Sequence, residues 1–143
     1  MSAEILNASL VEIAEAIRRK DFSSVEVVRA SIARAESLQP VLNCFIQLLG
    51  DEALADAKQA DSELARGELR GPLHGVPLAH KDMYYRAGKR STCGSKIRKD
   101  YIADHNSTAL KRLLDAGSIY LGGLNMAEFA TGPLSRLHVD RRR

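Results

Sequence analysis

Three features of the chain predict an α/β fold. The first half is filled by helices that open on serine caps. The second half alternates glycine-punctuated apolar strands with helices. The apolar residues are almost all aliphatic, with 5% aromatics and no Trp. Helix, glycine, apolar strand and helix in succession is α/β grammar. With 143 residues, 45% hydrophobic and 27% charged, the chain has a globular balance and suits one domain or part of a larger one.

The elements follow in order. Ser9-Leu-Val-Glu12 reads as a capping box. Leu10, Ile13, Ala14 and Ile17 then recur at helical spacing, and Arg18, Arg19 and Lys20 close the helix where cations complement its dipole. Ser23-Ser-Val-Glu26 repeats the box. The helix behind it is expected to end at Gln39-Pro40, because proline disfavours a helical residue before it. Residues 43–49 (NCFIQLL) suit a short strand. An Ala-rich helix runs over residues 51–66, with Gly67 past its end. Gly71-Pro-Leu-His-Gly-Val-Pro77 fixes a rigid turn before an apolar strand that ends in Lys81-Asp82. Asn106 or Ser107 caps a fourth helix over residues 108–116, stopped by Gly117. Residues 119–124 (IYLGGL) read as a buried strand, and residues 125–129 as the start of another helix.

The formal charge is +3, and it resides in residues 134–143, which hold Arg136, Arg141, Arg142 and Arg143 against Asp140. The other 133 residues carry 17 basic and 17 acidic groups. A nucleic-acid partner is therefore not expected, since such a domain clusters basic residues on a folded face. Cys44 and Cys93 are far apart, and the four histidines lack metal-ligand spacing, so neither a metal nor another cofactor is expected. No apolar run approaches the roughly 18 residues of a membrane span. The amino terminus lacks the pattern of a signal peptide, and a cytoplasmic setting is the default.

Lys81 is the main candidate for chemistry. At the tip of a buried strand it would be partly desolvated, which lowers the pKa of an amine and makes a base of it. The competing reading is a surface Lys81–Asp82 pair of little energetic weight. Cys93 lacks a His/Asn partner pattern and reads as a small buried residue.

The segments GPLHGVPLAHKDMYYRAGKRSTCGS (71–95) and DAGSIYLGGLNMAEFATG (115–132) closely resemble the amidase signature family of serine hydrolases. The Gly-Val-Pro…Lys-Asp strand, the Thr-Cys-Gly-Ser turn and the Asn-Met-Ala-Glu-Phe-Ala loop occur in family order. Residues 1–70 fit the family's helical front more loosely. The resemblance implies N-terminal helices followed by the first strands and helices of a mixed-sheet α/β/α fold, left incomplete. It implies a Ser-cisSer-Lys triad in which Lys81 matches the lysine, a neutral amine acting through a bridging serine on a nucleophilic serine. The nucleophile attacks a carboxamide, an acyl-enzyme forms, and water releases the acid. It further implies that Phe129, Ala130, Thr131 and Gly132 line the substrate pocket; for Phe129, ordinary core packing is the equal alternative. Gly75 and Pro77 would shape the strand, and Asp82 would support its end. Ser95 matches a turn serine of the family pattern and not its nucleophile.

The family's Gly- and Ser-rich segment, of the GGSSGGS type, has no counterpart in the sequence. Of the triad, only Lys81 is present. The resemblance also breaks at Gly132-Pro133. Residues 1–133 are thus expected to be the front of an amidase domain, and residues 134–143 an unrelated, disordered basic tail from a shifted frame. The chain alone is expected to be inactive and, with sheet edges open, to self-associate as a homo-oligomer. Three functions fit the residues: a hydrolase of small carboxamides; the glutamine-hydrolysing subunit of an aspartyl/glutamyl-tRNA amidotransferase; or a non-catalytic helical interaction fragment.

Overall fold

The computed structural model describes residues 5–131. Both predicted capping boxes form. Ser9 Oγ accepts from the Glu12 amide at 3.3 Å while the Glu12 carboxylate accepts from the Ser9 amide at 2.7 Å, opening helix α1 (Leu10–Arg18). Ser23 and Glu26 do the same for α2 (Ser24–Leu42). Asp61 completes that cap from another helix, accepting from the Ser24 and Val25 amides at 2.6 and 3.1 Å. The free amides of the first turn are thereby satisfied.

The predicted end at Gln39-Pro40 is corrected: α2 runs on to Leu42 with Pro40 in its last turn. Proline removes only its own N–H, and the Gln39 side chain holds the turn by bonding both the amide and the carbonyl of Phe45, at 3.0 and 2.8 Å. Asn43 then ends the helix in the left-handed region (φ 47°), where its short polar side chain is tolerated.

Strand β1 (Phe45–Leu48) leads into α3 (Gly50–Ala65). Ala53, Ala57 and Ala60, recurring at helical spacing, are fully buried. Their small side chains let α3 lie close against Val28 and Ile32 of α2 and against Ile119 and Leu121 of the sheet. Strand β2 (Pro77–Lys81), helix α4 (Thr108–Asp115) and strand β3 (Ile119–Leu124) follow. The sheet order is β1-β3-β2, with β1 antiparallel and β2 parallel to the central β3. The predicted α/β class therefore holds, with a mixed sheet.

The Gly71–Pro77 turn is fastened at both ends. Buried His74 accepts the Arg70 amide on Nδ1 (3.2 Å), so its Nε2 carries the proton it donates to the Ala60 carbonyl (2.9 Å). Gly75 has φ +77°, and a Cβ there would lie 2.0 Å from Ser24 Oγ.

The helix expected over residues 125–129 is not formed. The Asn125 side chain bonds the Asn43 carbonyl and the Met126 amide, both at 3.0 Å, and Phe129 adopts φ 49°, which a right-handed helix cannot pass through. What remains is a 3-10 turn over Glu128–Ala130. The tail expected over residues 134–143 lies outside the described residues.

Candidate active site

Parallel strands deliver their carboxyl ends to the same place, and in α/β sheets that is where functional loops gather. Here Lys81 of β2 stands in register with Leu124 of β3, and the Asp82 amide donates to the Leu124 carbonyl at 3.1 Å. Three segments meet beyond this line: Asp82, the turn Ser91-Thr-Cys-Gly-Ser95, and the loop that leaves β3.

Asp82 is buried. Its Oδ2 accepts from the Thr92 amide at 2.6 Å and from the Thr92 hydroxyl, while its backbone carbonyl accepts from Ser91 Oγ. Burial pushes the Asp82 carboxyl above its usual range, and the Thr92 bonds pull the other way. The residue ties the 91–95 turn to the strand end.

Lys81 lies elsewhere. Successive strand residues face opposite sides of a sheet, so Lys81 points away from the Asp82 cluster. The surface Lys81–Asp82 pair does not form; among the described residues Lys81 has no ion-pair partner. The expected desolvation is also absent: Lys81 is exposed. The cause is position, because Lys81 is the last residue of an edge strand and none of the described elements covers it.

The 91–95 turn and the loop after β3 interlock. Cys93 is buried, as expected, and takes φ 53°. Gly94, at φ +70°, passes so close that a Cβ would be 2.7 Å from the Met126 carbonyl oxygen. The Phe129 amide donates to the Cys93 carbonyl at 2.8 Å. Ser95 is fully buried and donates to Glu128 Oε1 at 2.6 Å, which agrees with a turn serine. Phe129 is 46% exposed, so it is not core packing, and Ala130 and Thr131 are exposed beside it. Gly132, the fourth residue expected in the pocket wall, lies outside the described residues.

Sequence reasoning missed a stack on the face opposite Lys81. The His80 ring lies parallel to Tyr120 (5.5 Å between centroids, 6°), and the Arg86 guanidinium sits 4.8 Å from the same ring. Burial lowers the His80 pKa and, with the nearby Asp82 charge, pushes Tyr120 up to about 12. Strand alternation could have placed His80 opposite Lys81, but its partner is forty positions away and carries no local signal.

A cavity of about 280 Å³ is lined by Lys20, Phe22, Ser23 and Asp61 and by no residue of this site. Among the described residues no cluster of three or more His, Cys, Asp or Glu could hold a metal ion.

A mixed α/β sheet whose parallel strand ends in Lys-Asp, with a Thr-Cys-Gly-Ser turn locked to the next strand's loop, defines the class. The chain belongs to the amidase family, whose model matches residues 26–136. It is 44% identical over 124 residues to a glutamyl-tRNA(Gln) amidotransferase subunit of Methylococcus capsulatus, covering 87% of this chain and 25% of that protein. It is 46% identical over 127 residues to the protein of the same name from Azotobacter vinelandii, covering 89% and 26%. Among solved structures it resembles fatty acid amide hydrolase (TM-score 0.84, 27% identity, 88% of this chain and 22% of that one). It also resembles peptide amidase from Stenotrophomonas maltophilia (TM-score 0.81, 30% identity, 87% and 26%). The chain spans about a quarter of the length of the curated relatives it matches.

Proposed function

We propose that this chain carries the lysine of a Ser-cisSer-Lys amide hydrolase, with Lys81 as the general base for cleavage of a carbon–nitrogen bond in a small carboxamide. One observation supports this above the others. Lys81 stands at the carboxyl end of a parallel strand with its amine unclaimed among the described residues, and the neighbouring carboxylate, Asp82, is turned inward and held by Thr92. A lysine bonded to Asp82 would be fixed as ammonium and could not accept a proton. The amine must still be desolvated to become neutral, so the complete site has to cover it with residues beyond those described.

In this reading Lys81 takes a proton through a bridging serine, and the nucleophilic serine attacks the carbonyl carbon. The amine or ammonia leaves with a proton, and water then opens the acyl-enzyme. Phe129, Ala130 and Thr131 form part of the pocket wall, and the exposure of Phe129 supports that over core packing. The Gly- and Ser-rich segment that the resemblance makes the source of the nucleophile and the oxyanion hole has no counterpart in these 143 residues, nor has the bridging serine. The isolated chain is therefore inactive in this proposal, and its setting is cytoplasmic.

The names of the relatives favour a second reading within the family: the glutamine-hydrolysing component of a tRNA-dependent amidotransferase. One experiment separates the readings. Residues 26–131 replace the matching segment of the Methylococcus capsulatus relative, and ammonia release is followed with glutamine and with simple carboxamides. Release that falls at least about a thousandfold in Lys81→Ala supports the lysine's role. A strong preference for glutamine supports the second reading, and Lys81-independent release refutes both.

A further inference from the structure

Two consecutive non-glycine residues, Phe129 and Ala130, hold left-handed backbone at φ 49° and 60° on the exposed side of the candidate site. Cys93, which faces them, is left-handed as well, at φ 53°. L-residues in that region are strained and persist only where their surroundings over-determine them. Phe129 is 46% exposed and Ala130 is exposed beside it, so packing holds them only in part.

A set of hydrogen bonds holds them, beginning with the turn's own: the Ala130 amide donates to the Ala127 carbonyl at 2.9 Å and the Thr131 amide to the Glu128 carbonyl at 3.0 Å. The Phe129 amide donates to the Cys93 carbonyl at 2.8 Å. The Thr131 hydroxyl donates to the Glu128 carbonyl at 2.8 Å. The one side-chain tie between the two segments runs from Ser95 Oγ to Glu128 Oε1, at 2.6 Å. Ser95 is anchored for this: it is fully buried, and its hydroxyl also accepts the Ile97 amide at 3.2 Å. Gly94 adds close backbone contact with Met126, so the Cys93–Ser95 turn forms a rigid bed under the loop.

We infer that Ser95 and Glu128 are positioning residues: their hydrogen bond latches the strained Glu128–Ala130 turn and so fixes where the Phe129 wall stands beside the strand ends. The assignment of that wall rests on the carboxamide reading above; the latch itself does not. A carboxylate acceptor gives a buried hydroxyl a stronger bond than a neutral one would, and it can be cut from the exposed side through Glu128 without cavity formation.

Amide hydrogen exchange on the 143-residue chain tests the latch. In Glu128→Ala the Phe129 and Ala130 amides should exchange at least about tenfold faster while the β3 amides keep their rates. Glu128→Gln, whose amide oxygen still accepts, should stay near the wild-type rate. Ser95→Ala should reproduce Glu128→Ala. Unchanged exchange at Phe129 in Glu128→Ala overturns the latch, as does uniform acceleration of turn and β3 alike. Equal loss in Glu128→Gln and Glu128→Ala overturns it too. Ammonia release from carboxamides by the full-length relative carrying residues 26–131 reports the carboxamide reading separately. Release that does not depend on Lys81 counts against that reading, and the exchange result still decides the latch.

Discussion

Replacing Thr92 by valine removes one oxygen from the most enclosed part of the site and keeps its shape. Thr92 is fully buried, and its hydroxyl has two partners. It donates to Asp82 Oδ2 and accepts the Gly94 amide at 3.1 Å. The first loss weakens the hold on a buried carboxylate, an interaction of about 1.5–3 kcal/mol. The second leaves a buried amide without a partner, at about 1–3 kcal/mol. Valine fills the space, so no cavity term is added, and the two effects share one turn and will not sum fully. The expected destabilisation is about 2–4 kcal/mol near neutral pH, read from urea unfolding. Its pH dependence has a definite sign. The Thr92 bonds favour the charged form of Asp82, so the penalty is largest with Asp82 ionised and shrinks as falling pH protonates it. A penalty below about 0.5 kcal/mol at neutral pH, or one that grows on acidification, would refute the reasoning.

Other consequences are equally specific. Gly75→Ala should cost about 3 kcal/mol or more, since it adds a clash with Ser24 to a left-handed φ. Gly67→Ala, at φ +80° with nothing within 4 Å, should cost only about 1–2 kcal/mol by the same unfolding measurement. Ala130→Gly should raise stability by about 0.5–1 kcal/mol, because the side chain is exposed and its φ suits glycine. Burial lowers the His80 pKa, so the unfolded chain binds the extra proton first. Stability should therefore fall as pH drops from about 6.5, with a slope no steeper than about 1.4 kcal/mol per pH unit, and His80→Phe should flatten it.

Much of the fold was legible because its signals are local. The two Ser-x-x-Glu boxes, the alanine spacing of α3 and the IYLGGL strand each name their own structure within a few residues. The errors fell where a distant partner overrides the local rule. Pro40 stays helical because Gln39 is held by Phe45 beyond the turn. The 125–129 helix is lost because the turn at 93–95 and the Asn43 carbonyl claim its residues. The site divides the same way. Lys81 and Asp82 could be found from their place after an apolar run. That Asp82 turns inward depends on Thr92, and the exposure of Lys81 depends on β2 lying at the sheet's edge. The His80–Tyr120–Arg86 stack joins residues from two strands and a loop, which no window of sequence displays together.

The role of Lys81 is tested most directly by ammonia release from a full-length relative carrying residues 26–131 of this chain, compared with its Lys81→Ala variant under the same conditions. A general base predicts a loss of at least about a thousandfold in kcat, with the substrate still bound. A variant that keeps its activity within about tenfold would contradict that role and leave Lys81 an exposed residue at the end of an edge strand.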